Sequence, residues 1–296
     1  MGNKSFYMMG MPTKRAESIL YTDKLIIERN VVFPQSTIPL HAHSFYEFEI
    51  VIAGVIKSYI NGKSVECTKG DFWLSLPNDV HYLRGLSDKT VLLSVKFVDE
   101  LLLPSMRNYF NILQESIFGT LPESDFTNCR DFFRITIENY NKLNSEFNKQ
   151  IYAKSALEMM LSYFMNYCVG FSEEKYKKIL GNNKMFDAVE YIKKNFRNPI
   201  TVNDMSKHFN YSPDYFSRKF KNVIGQSVID FINNERLRYA YYLLTNSEMS
   251  VSEIADYVGF DSLSYFSRLF KRTYGTAPSK VCNINNSGEI IKRKDP

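Results

Sequence analysis

The sequence predicts a multidomain α+β protein in which a β-barrel is followed by a helical segment and then by an all-α C-terminal part. Three observations support this fold class. Short β-rich runs separated by turn residues fill residues 40–99, apolar residues at helical spacing follow in residues 100–170, and one helical unit then occurs twice. The predicted boundaries are 1–99 for the barrel, 100–171 for the helical segment, 172–184 for a linker, 185–282 for the repeated units and 283–296 for a flexible tail.

The barrel is predicted from runs such as EFEIVIAG, VIKSYI, DFWLSL and TVLLSVKFV, which are rich in β-branched and aromatic residues. Between two of these runs stands Asn61-Gly62, a pair that favours a tight hairpin turn because both residue types accept a positive φ. Several short strands of this kind, joined by turns, are typical of a small barrel that encloses a binding site.

Four polar residues of this region form a candidate site: His41, His43, Glu47 and His81. If 41–47 is one regular strand, its three candidate ligands share a face, and a neighbouring strand can bring His81 beside them. Three imidazoles and a carboxylate suit a divalent transition metal. With Gly54, Gly70 and Pro77, the residues resemble the two motifs of the cupin fold, although the second motif departs from the spacing of the enzymes. Both a metal site and the lining of an effector pocket remain open interpretations.

Residues 100–170 carry apolar residues three and four apart in LLLPSMRNYFNIL, DFFRITIENYNKL and YAKSALEMMLSYFMNY, which predicts amphipathic helices. Such helices need a partner surface, and packing on the barrel is the simplest one. The stretch SEEKYKKILGNNK that follows is charged and contains a glycine between polar residues, as linkers commonly do.

The repeated unit reads TVNDMSKHFNYSPDYFSRKFKNVIG in residues 201–225 and SVSEIADYVGFDSLSYFSRLFKRTYG in residues 250–275. Each copy opens with a hydroxyl residue three positions before a carboxylate, the signature of a reciprocal helix cap. Each then has an Asn or Gly break and a second helix start, so the spacing predicts a helix-turn-helix. Between the copies, residues 228–244 predict one continuous helix that holds the two units at a fixed distance.

The second helix of each copy buries phenylalanines four residues apart and leaves a polar, basic face exposed. Arg, Ser and Lys are the residue types that contact base edges and phosphates in a major groove. The candidate DNA-binding residues are Ser212, Asp214, Ser217, Arg218 and Lys221 in the first copy and Ser262, Leu263, Ser264, Ser267, Arg268 and Lys271 in the second. A solvated helix face is the simpler alternative for one copy, but the matched duplication favours double-stranded DNA as a partner.

Net charge supports this interpretation. Residues 184–296 hold 17 Lys and Arg against 12 Asp and Glu, whereas the rest of the chain holds 20 of each. The whole net charge of +5 therefore belongs to the part that carries the repeated units, as expected for a surface that approaches phosphates.

The stretch IADYVGFDSLSYFSRLFKRTYGTAP, within residues 186–278, resembles the AraC/XylS family of bacterial transcription regulators. The resemblance implies two recognition helices in successive major-groove segments, with Asp214, Ser217, Arg218, Leu263, Ser264, Ser267 and Arg268 as base-reading candidates. It further implies an organic effector, often a sugar, in the barrel, a homodimer joined by the helical segment, and a contact with RNA polymerase. The resulting hypothesis is an effector-controlled activator of a sugar-related catabolic operon.

Two rival functions remain: a repressor under effector control, and a metal-dependent cupin enzyme with an attached DNA-binding part. We expect no catalytic residue and no cofactor other than the divalent metal that the barrel residues could hold. Four scattered cysteines without a CxxC pair indicate reduced thiols. With no signal-peptide core and no apolar stretch of membrane-spanning length, the chain is expected to be cytoplasmic, without a membrane partner.

Overall fold

The computed structural model describes residues 16–21, 24–34, 36–113, 115–168, 183–281, 283–284 and 290–291. The chain divides into two compact units. Unit 1 comprises residues 1–77, 81–103 and 115–171, and unit 2 comprises 78–80, 104–114 and 172–296. From residue 115 on, the helical segment thus lies in the same unit as the barrel, while 104–114 groups with the C-terminal part. The predicted linker 172–184 and tail 283–296 lie largely outside the described residues.

Unit 1 is built on two antiparallel sheets. Its strands are β1 (Ala16–Tyr21), β2 (Leu25–Val32), β3 (Thr37–His41), β4 (Tyr46–Ala53), β5 (Ile56–Ile60), β6 (Lys63–Cys67), β7 (Asp71–Ser75), β8 (His81–Gly85), β9 (Thr90–Phe97) and β10 (Ile117–Thr120). The first sheet has the order β1-β2-β9-β4-β7-β10 and the second the order β3-β8-β5-β6. The hairpin between β5 and β6 turns at Asn61 and Gly62, whose φ angles are 48° and 86°, as its sequence predicts.

The two sheets share one apolar core. Val51 and Trp73 of the first sheet are packed in the same buried cluster as Ile56 and Leu83 of the second. Side chains of β4 alternate, so Glu47 and Glu49 face the same interior as Val51, a placement that requires polar partners.

Two helices of unit 1 are α2 (Glu123–Lys142) and α3 (Glu146–Met165). Phe48, on the other face of β4, packs against Phe164 of α3 with the rings tilted and 4.5 Å between their centroids. The first sheet is therefore covered on both faces, which explains why residues 46–51 of β4 are all buried.

Where its residues are described, unit 2 is mainly helical and has a short pairing of β11 (Asn283–Ile284) with β12 (Ile290–Ile291). Its helices are α1 (Pro104–Asn111), α4 (Asn183–Asn195), α5 (Val202–His208), α6 (Pro213–Ile224), α7 (Val228–Asn246), α8 (Val251–Tyr257) and α9 (Leu263–Tyr274). Short 3-10 turns occupy Asp99–Leu101 in unit 1 and Pro278–Lys280 in unit 2. The predicted fold class, a β domain followed by an all-α double helix-turn-helix, is confirmed.

One local expectation is wrong. Residues 41–47 are not one regular strand, because β3 ends at His41, β4 begins at Tyr46, and the chain between them passes from the second sheet to the first. Ser212 stands at the N-cap of α6 ahead of Pro213, but its side chain makes no capping hydrogen bond. Proline already fixes φ and lacks an N–H at the first helical position, so this start is preorganised without a cap. Among the described residues, no helix is both long and apolar enough to cross a bilayer.

Candidate functional site

The two helix-turn-helix copies have the same local construction. Thr201 accepts a hydrogen bond from the backbone N–H of Asp204, whose carboxylate accepts one from Thr201 N–H. Ser250 and Glu253 repeat both bonds in the second copy. These reciprocal caps hold the pKa of both carboxyls below its usual value, through hydrogen bonds from Thr201 and Ser250 respectively. The predicted capping boxes are therefore present in both units.

The turns of the two copies use the left-handed conformation. Asn210 has φ 57° and Gly259 has φ 95°, and each follows a seven-residue helix, α5 or α8. Helices α6 and α9 then both run for 12 residues and end at a left-handed glycine, Gly225 or Gly275. The chain thus presents two recognition helices of equal length in equivalent settings.

Both recognition helices bury aromatic side chains and expose polar ones. Phe216 and Phe220 of α6, and Phe266 and Phe270 of α9, are fully buried. Ser217 and Ser267 are half-buried at the edge of the face. The other predicted DNA-binding residues are exposed: Ser212, Asp214, Arg218, Lys221, Ser262, Leu263, Ser264, Arg268 and Lys271. Each copy therefore aligns an arginine, a serine and a lysine on one exposed helix face.

The arginine of the second copy has neighbours that the sequence did not reveal. The guanidinium of Arg268 lies 5.7 Å from the ring centroid of Tyr265, and the Tyr265 hydroxyl accepts a hydrogen bond of 3.2 Å from Asn233 Nδ2 on α7. In the first copy, Tyr215 takes the place of Tyr265, and Lys219 lies over its ring at 5.6 Å. The repeated Tyr-Phe-Ser-Arg pattern was a signal for this tyrosine, whereas nothing local pointed to Asn233.

The four polar residues of the barrel come together although they lie on four different segments. His41 ends β3 and pairs across the strands with His81 of β8, and their ring centroids are 4.3 Å apart. His43 lies in the β3–β4 connection and Glu47 on β4. One donor atom from each residue lies within 4.8 Å of those of the others. Glu47 and His81 are buried, while His41 and His43 are half-buried.

The Glu47 carboxylate is the centre of this cluster. Its Oε2 lies 3.0 Å from His43 Nε2 and 3.1 Å from His81 Nε2, and its Oε1 lies 3.6 Å from Lys96 Nζ. Burial alone would raise the pKa of Glu47, but the Lys96 charge and the two histidine contacts offset this and hold it well below its usual value. Glu47 is therefore an ionised carboxylate inside the barrel.

The ring nitrogen of His43 that lies beside this carboxylate is Nε2, and it carries no proton when the ring is neutral. Its Nδ1 lies 2.9 Å from the carbonyl oxygen of Phe45, which only accepts, so Nδ1 is the donor. Burial lowers the pKa of His43 despite the Glu47 contact, which favours the neutral ring with a lone pair on Nε2. Two acceptors 3.0 Å apart need a cation or a proton between them, so the donor set fits a metal ion.

Further polar groups extend from this cluster into the barrel. Lys96 also donates to Glu28 at 2.8 Å, and Glu49 accepts from Ser94 at 3.1 Å. Burial, followed by the Glu47 charge, raises the pKa of Glu49 to about 8. The alternation of Glu47 and Glu49 along β4 was a signal for this second carboxyl, but the partners on β2 and β9 were not predictable.

Comparison with known proteins gives two family matches. A helix-turn-helix domain model matches residues 205–283, and a model of the AraC-like ligand-binding domain matches residues 31–146. Together they cover about two thirds of the chain.

Two of the relatives that match over most of their length illustrate the similarity. The HTH-type transcriptional regulator YfiF of Bacillus subtilis, itself uncharacterised, is 26% identical over 81% of this chain and 77% of its own. The HTH-type transcriptional activator RhaS of Mannheimia succiniciproducens is 24% identical over 84% of this chain and 90% of its own. Among solved structures, ToxT of Vibrio cholerae O395 has 17% identity and a TM-score of 0.47, with 88% of this chain and 97% of that chain covered.

The relatives that match over most of their length are transcription regulators, and the matched models account for both halves of the fold. The predicted resemblance is therefore confirmed: the chain belongs to the AraC family of helix-turn-helix transcription regulators, with an AraC-like ligand-binding domain ahead of its DNA-binding part.

Proposed function

We propose that this regulator reads DNA sequence by inserting α6 and α9 into successive major-groove segments. The observation that carries the proposal is the equivalent placement of Arg218 and Arg268 on the exposed faces of two equal helices. Arginine pairs bidentately with guanine, and serine bonds either a base or a phosphate. Lys221 and Lys271 follow their arginines by three residues, so they lie on the same face, and their charge is suited to phosphates.

Selection of DNA fragments retained by the protein, followed by sequencing, would identify the operator. On that operator, joint replacement Arg218→Glu and Arg268→Glu is expected to abolish retention, because the charge of both faces is reversed. Arg134→Glu is the matched control, since Arg134 is an exposed arginine on α2 of unit 1. Undiminished retention by the double variant, with wild-type helicity, would remove the groove-reading role.

The barrel cluster is proposed as the sensory site, and a divalent transition metal is the species its donor set fits. His41, His43, His81 and Glu47 would hold the ion, which supplies a positive charge between Glu47 and the His43 lone pair. The Nε2 atoms of His43 and His81 lie 3.0 and 3.1 Å from Glu47 Oε2, close enough for these donors to share one ion. An organic effector such as a sugar, bound by the same polar groups, is the alternative outcome.

Metal content of the purified protein and equilibrium dialysis with Zn²⁺ would separate these possibilities. Stoichiometric binding that is lost in His43→Ala supports the metal. Absence of binding, with a sugar that changes DNA affinity, supports the organic effector. We propose a sensory role and no catalysis; metal-dependent turnover of a substrate by the purified chain would instead favour the cupin enzyme.

Homodimerisation is proposed through α3. Phe147, Ile151 and Met159 are 69%, 50% and 58% exposed. With Ser155 they form a run at four-residue steps that contains no charged side chain. A second copy of the same run of exposed apolar side chains is a self-complementary partner and would align two DNA sites, one for each protomer. Sedimentation of Ile151→Asp is expected to report monomers, while Leu86→Asp, which changes an apolar residue 43% exposed in unit 1, leaves the dimer intact.

Activation of transcription, through a contact with RNA polymerase, is the proposed outcome of effector binding. Its support is the relative RhaS, an activator that matches over 84% of this chain. We propose a sugar-related catabolic operon as the target. A reporter placed behind the selected operator should respond to the effector by increased transcription, whereas a decrease would favour the repressor.

A further inference from the structure

The loop between α4 and α5, residues 196–200, contacts parts of unit 2 that are distant in sequence. Arg236, on the long helix α7, donates from Nε to the carbonyl oxygen of Phe196 at 2.7 Å and from Nη2 to that of Asn198 at 3.0 Å. The same guanidinium lies 5.7 Å from the ring centroid of Phe260. One planar side chain thus joins the loop, the connecting helix and the turn of the second helix-turn-helix.

The loop also touches the second copy directly. Arg197 donates to the Tyr257 hydroxyl at 2.6 Å, and its guanidinium lies 5.0 Å from the Tyr257 ring centroid. The backbone of Gly259 passes so close to Arg197 that a Cβ at this glycine would lie 2.6 Å from the Arg197 carbonyl oxygen. The α8–α9 turn and the loop are therefore in tight contact.

On its other side, the loop leads into the first copy. Thr201, the cap of α5, follows it immediately, and α4 before it packs against both α6 and α7. The loop is therefore continuous with the first copy and contacts the second, while α7 connects the two copies along the chain. The connection from α6 to α7 runs through Gly225, which has a φ of 90° and open space where a Cβ would lie.

We propose that Arg236 is a positioning residue that fixes the separation and relative rotation of α6 and α9, and thereby selects DNA in which the two half-sites stand at one spacing. This inference rests on the proposed reading of DNA by both helices. α7 is about 28 Å long and sets a distance, and ring contacts of Phe220 with Phe231 and of Tyr241 with Phe270 pack the two recognition helices against it. The Arg236 contacts add the loop and the second turn to this arrangement, and thereby fix the rotation of α9 relative to the first copy.

The informative replacement is Arg236→Lys. Lysine keeps the charge, but an ammonium lacks the planar fork that bonds two carbonyls and stacks on a ring. Wild-type protein and variant are compared on three DNA types: the selected operator, operators with one base pair inserted or deleted between the half-sites, and operators with one half-site scrambled. Inserting one base pair rotates the second half-site by about 35° and moves it by about 3.4 Å.

Wild-type protein is expected to bind the selected operator strongly and the insertion and deletion operators poorly. For Arg236→Lys, binding to the selected operator weakens by about 10-fold, the equivalent of one charged hydrogen bond. The variant's affinity for the insertion and deletion operators approaches its affinity for the selected operator. Its affinity for operators with a single intact half-site equals that of the wild type. Tyr257→Phe, which removes the hydroxyl that accepts from Arg197, is expected to relax spacing in the same direction.

Arg134→Lys on α2 is the matched control and should keep the wild-type spacing preference. The inference is overturned if Arg236→Lys discriminates spacings as sharply as the wild type does. It is equally overturned if the variant weakens on every DNA, single half-sites included, by one common factor, because that is the signature of a general loss of fold. Failure of wild-type protein to retain any DNA would instead contradict the proposed function itself.

Discussion

Replacement of Gly259 by alanine measures how closely the loop at residue 197 approaches the second helix-turn-helix. Gly259 has φ 95°, and its added Cβ would lie 2.6 Å from Arg197 O and 3.1 Å from Arg236 Cζ. Gly225 has φ 90°, but nothing lies within 4 Å of its added Cβ. The two glycines therefore share the backbone conformation and differ in the contact, so Gly225→Ala is the matched control.

A left-handed conformation costs an L-residue roughly 1–2 kcal/mol, and this is the whole expected loss in the free energy of unfolding for Gly225→Ala. Gly259→Ala bears the same cost plus that of forcing an extra carbon against backbone atoms, roughly 1–3 kcal/mol. Its expected total is about 2–5 kcal/mol. The difference between the two losses in the free energy of unfolding therefore measures the cost of forcing a Cβ against the loop.

Urea unfolding followed by helical circular dichroism is the assay, because unit 2 is mostly helical. Trp73, the one tryptophan of the chain, is buried in unit 1, so its fluorescence transition serves as an internal control that should not move. Gly259→Asn refines the test, since Asn210 already adopts φ 57° at the equivalent turn of the first copy. Equal losses at Gly225 and Gly259, or wild-type stability in Gly259→Asn, would refute the close approach.

The other predictions concern single side chains. Arg268→Ala should cost roughly 1–3 kcal/mol of DNA binding and relax preference at one base, whereas Lys271→Ala should weaken all sequences similarly and lower the salt dependence; titrations on operator variants distinguish these patterns. Tyr265→Phe, which removes the acceptor of the Asn233 amide but keeps the ring beside Arg268, should reduce base discrimination more than overall affinity, as competition binding would measure. His43→Ala should weaken Zn²⁺ binding by more than about 10-fold in dialysis, with His208→Ala, outside the cluster, as control.

The elements that local chemistry determines were predictable. The capping boxes at Thr201 and Ser250, the left-handed Asn210 and Gly259, and the Asn61-Gly62 hairpin follow from residue types at fixed spacing, and the structure has all of them. Apolar periodicity also identified the buried phenylalanines of both recognition helices. Each of these features depends on residues only a few positions apart, so the sequence alone was sufficient to predict it.

Features that depend on strand pairing were predicted less well. His41, His43 and Glu47 were expected on one strand because they are close in sequence, yet the chain changes sheets between His41 and Tyr46. The four residues still form one cluster, because His41 pairs across the strands with His81. The partnership of Lys96 with Glu28 and Glu47 depends on the order of β2, β9 and β4, which no local pattern encodes.

The divergence between the two copies has a structural cause. Their turns stand at equivalent positions and both need a positive φ, for which asparagine suffices in the first copy, at Asn210. In the second copy Arg197 O leaves no room for a Cβ, so only glycine satisfies both the angle and the approach. The difference between two otherwise matched turns therefore marks the surface where the loop at residues 196–200 meets the second unit. If α7 were the only connection between the two copies, the turn of the second copy would not require a glycine. Gly259 and Arg236 therefore both contribute to the contact between the loop at residues 196–200 and the second copy.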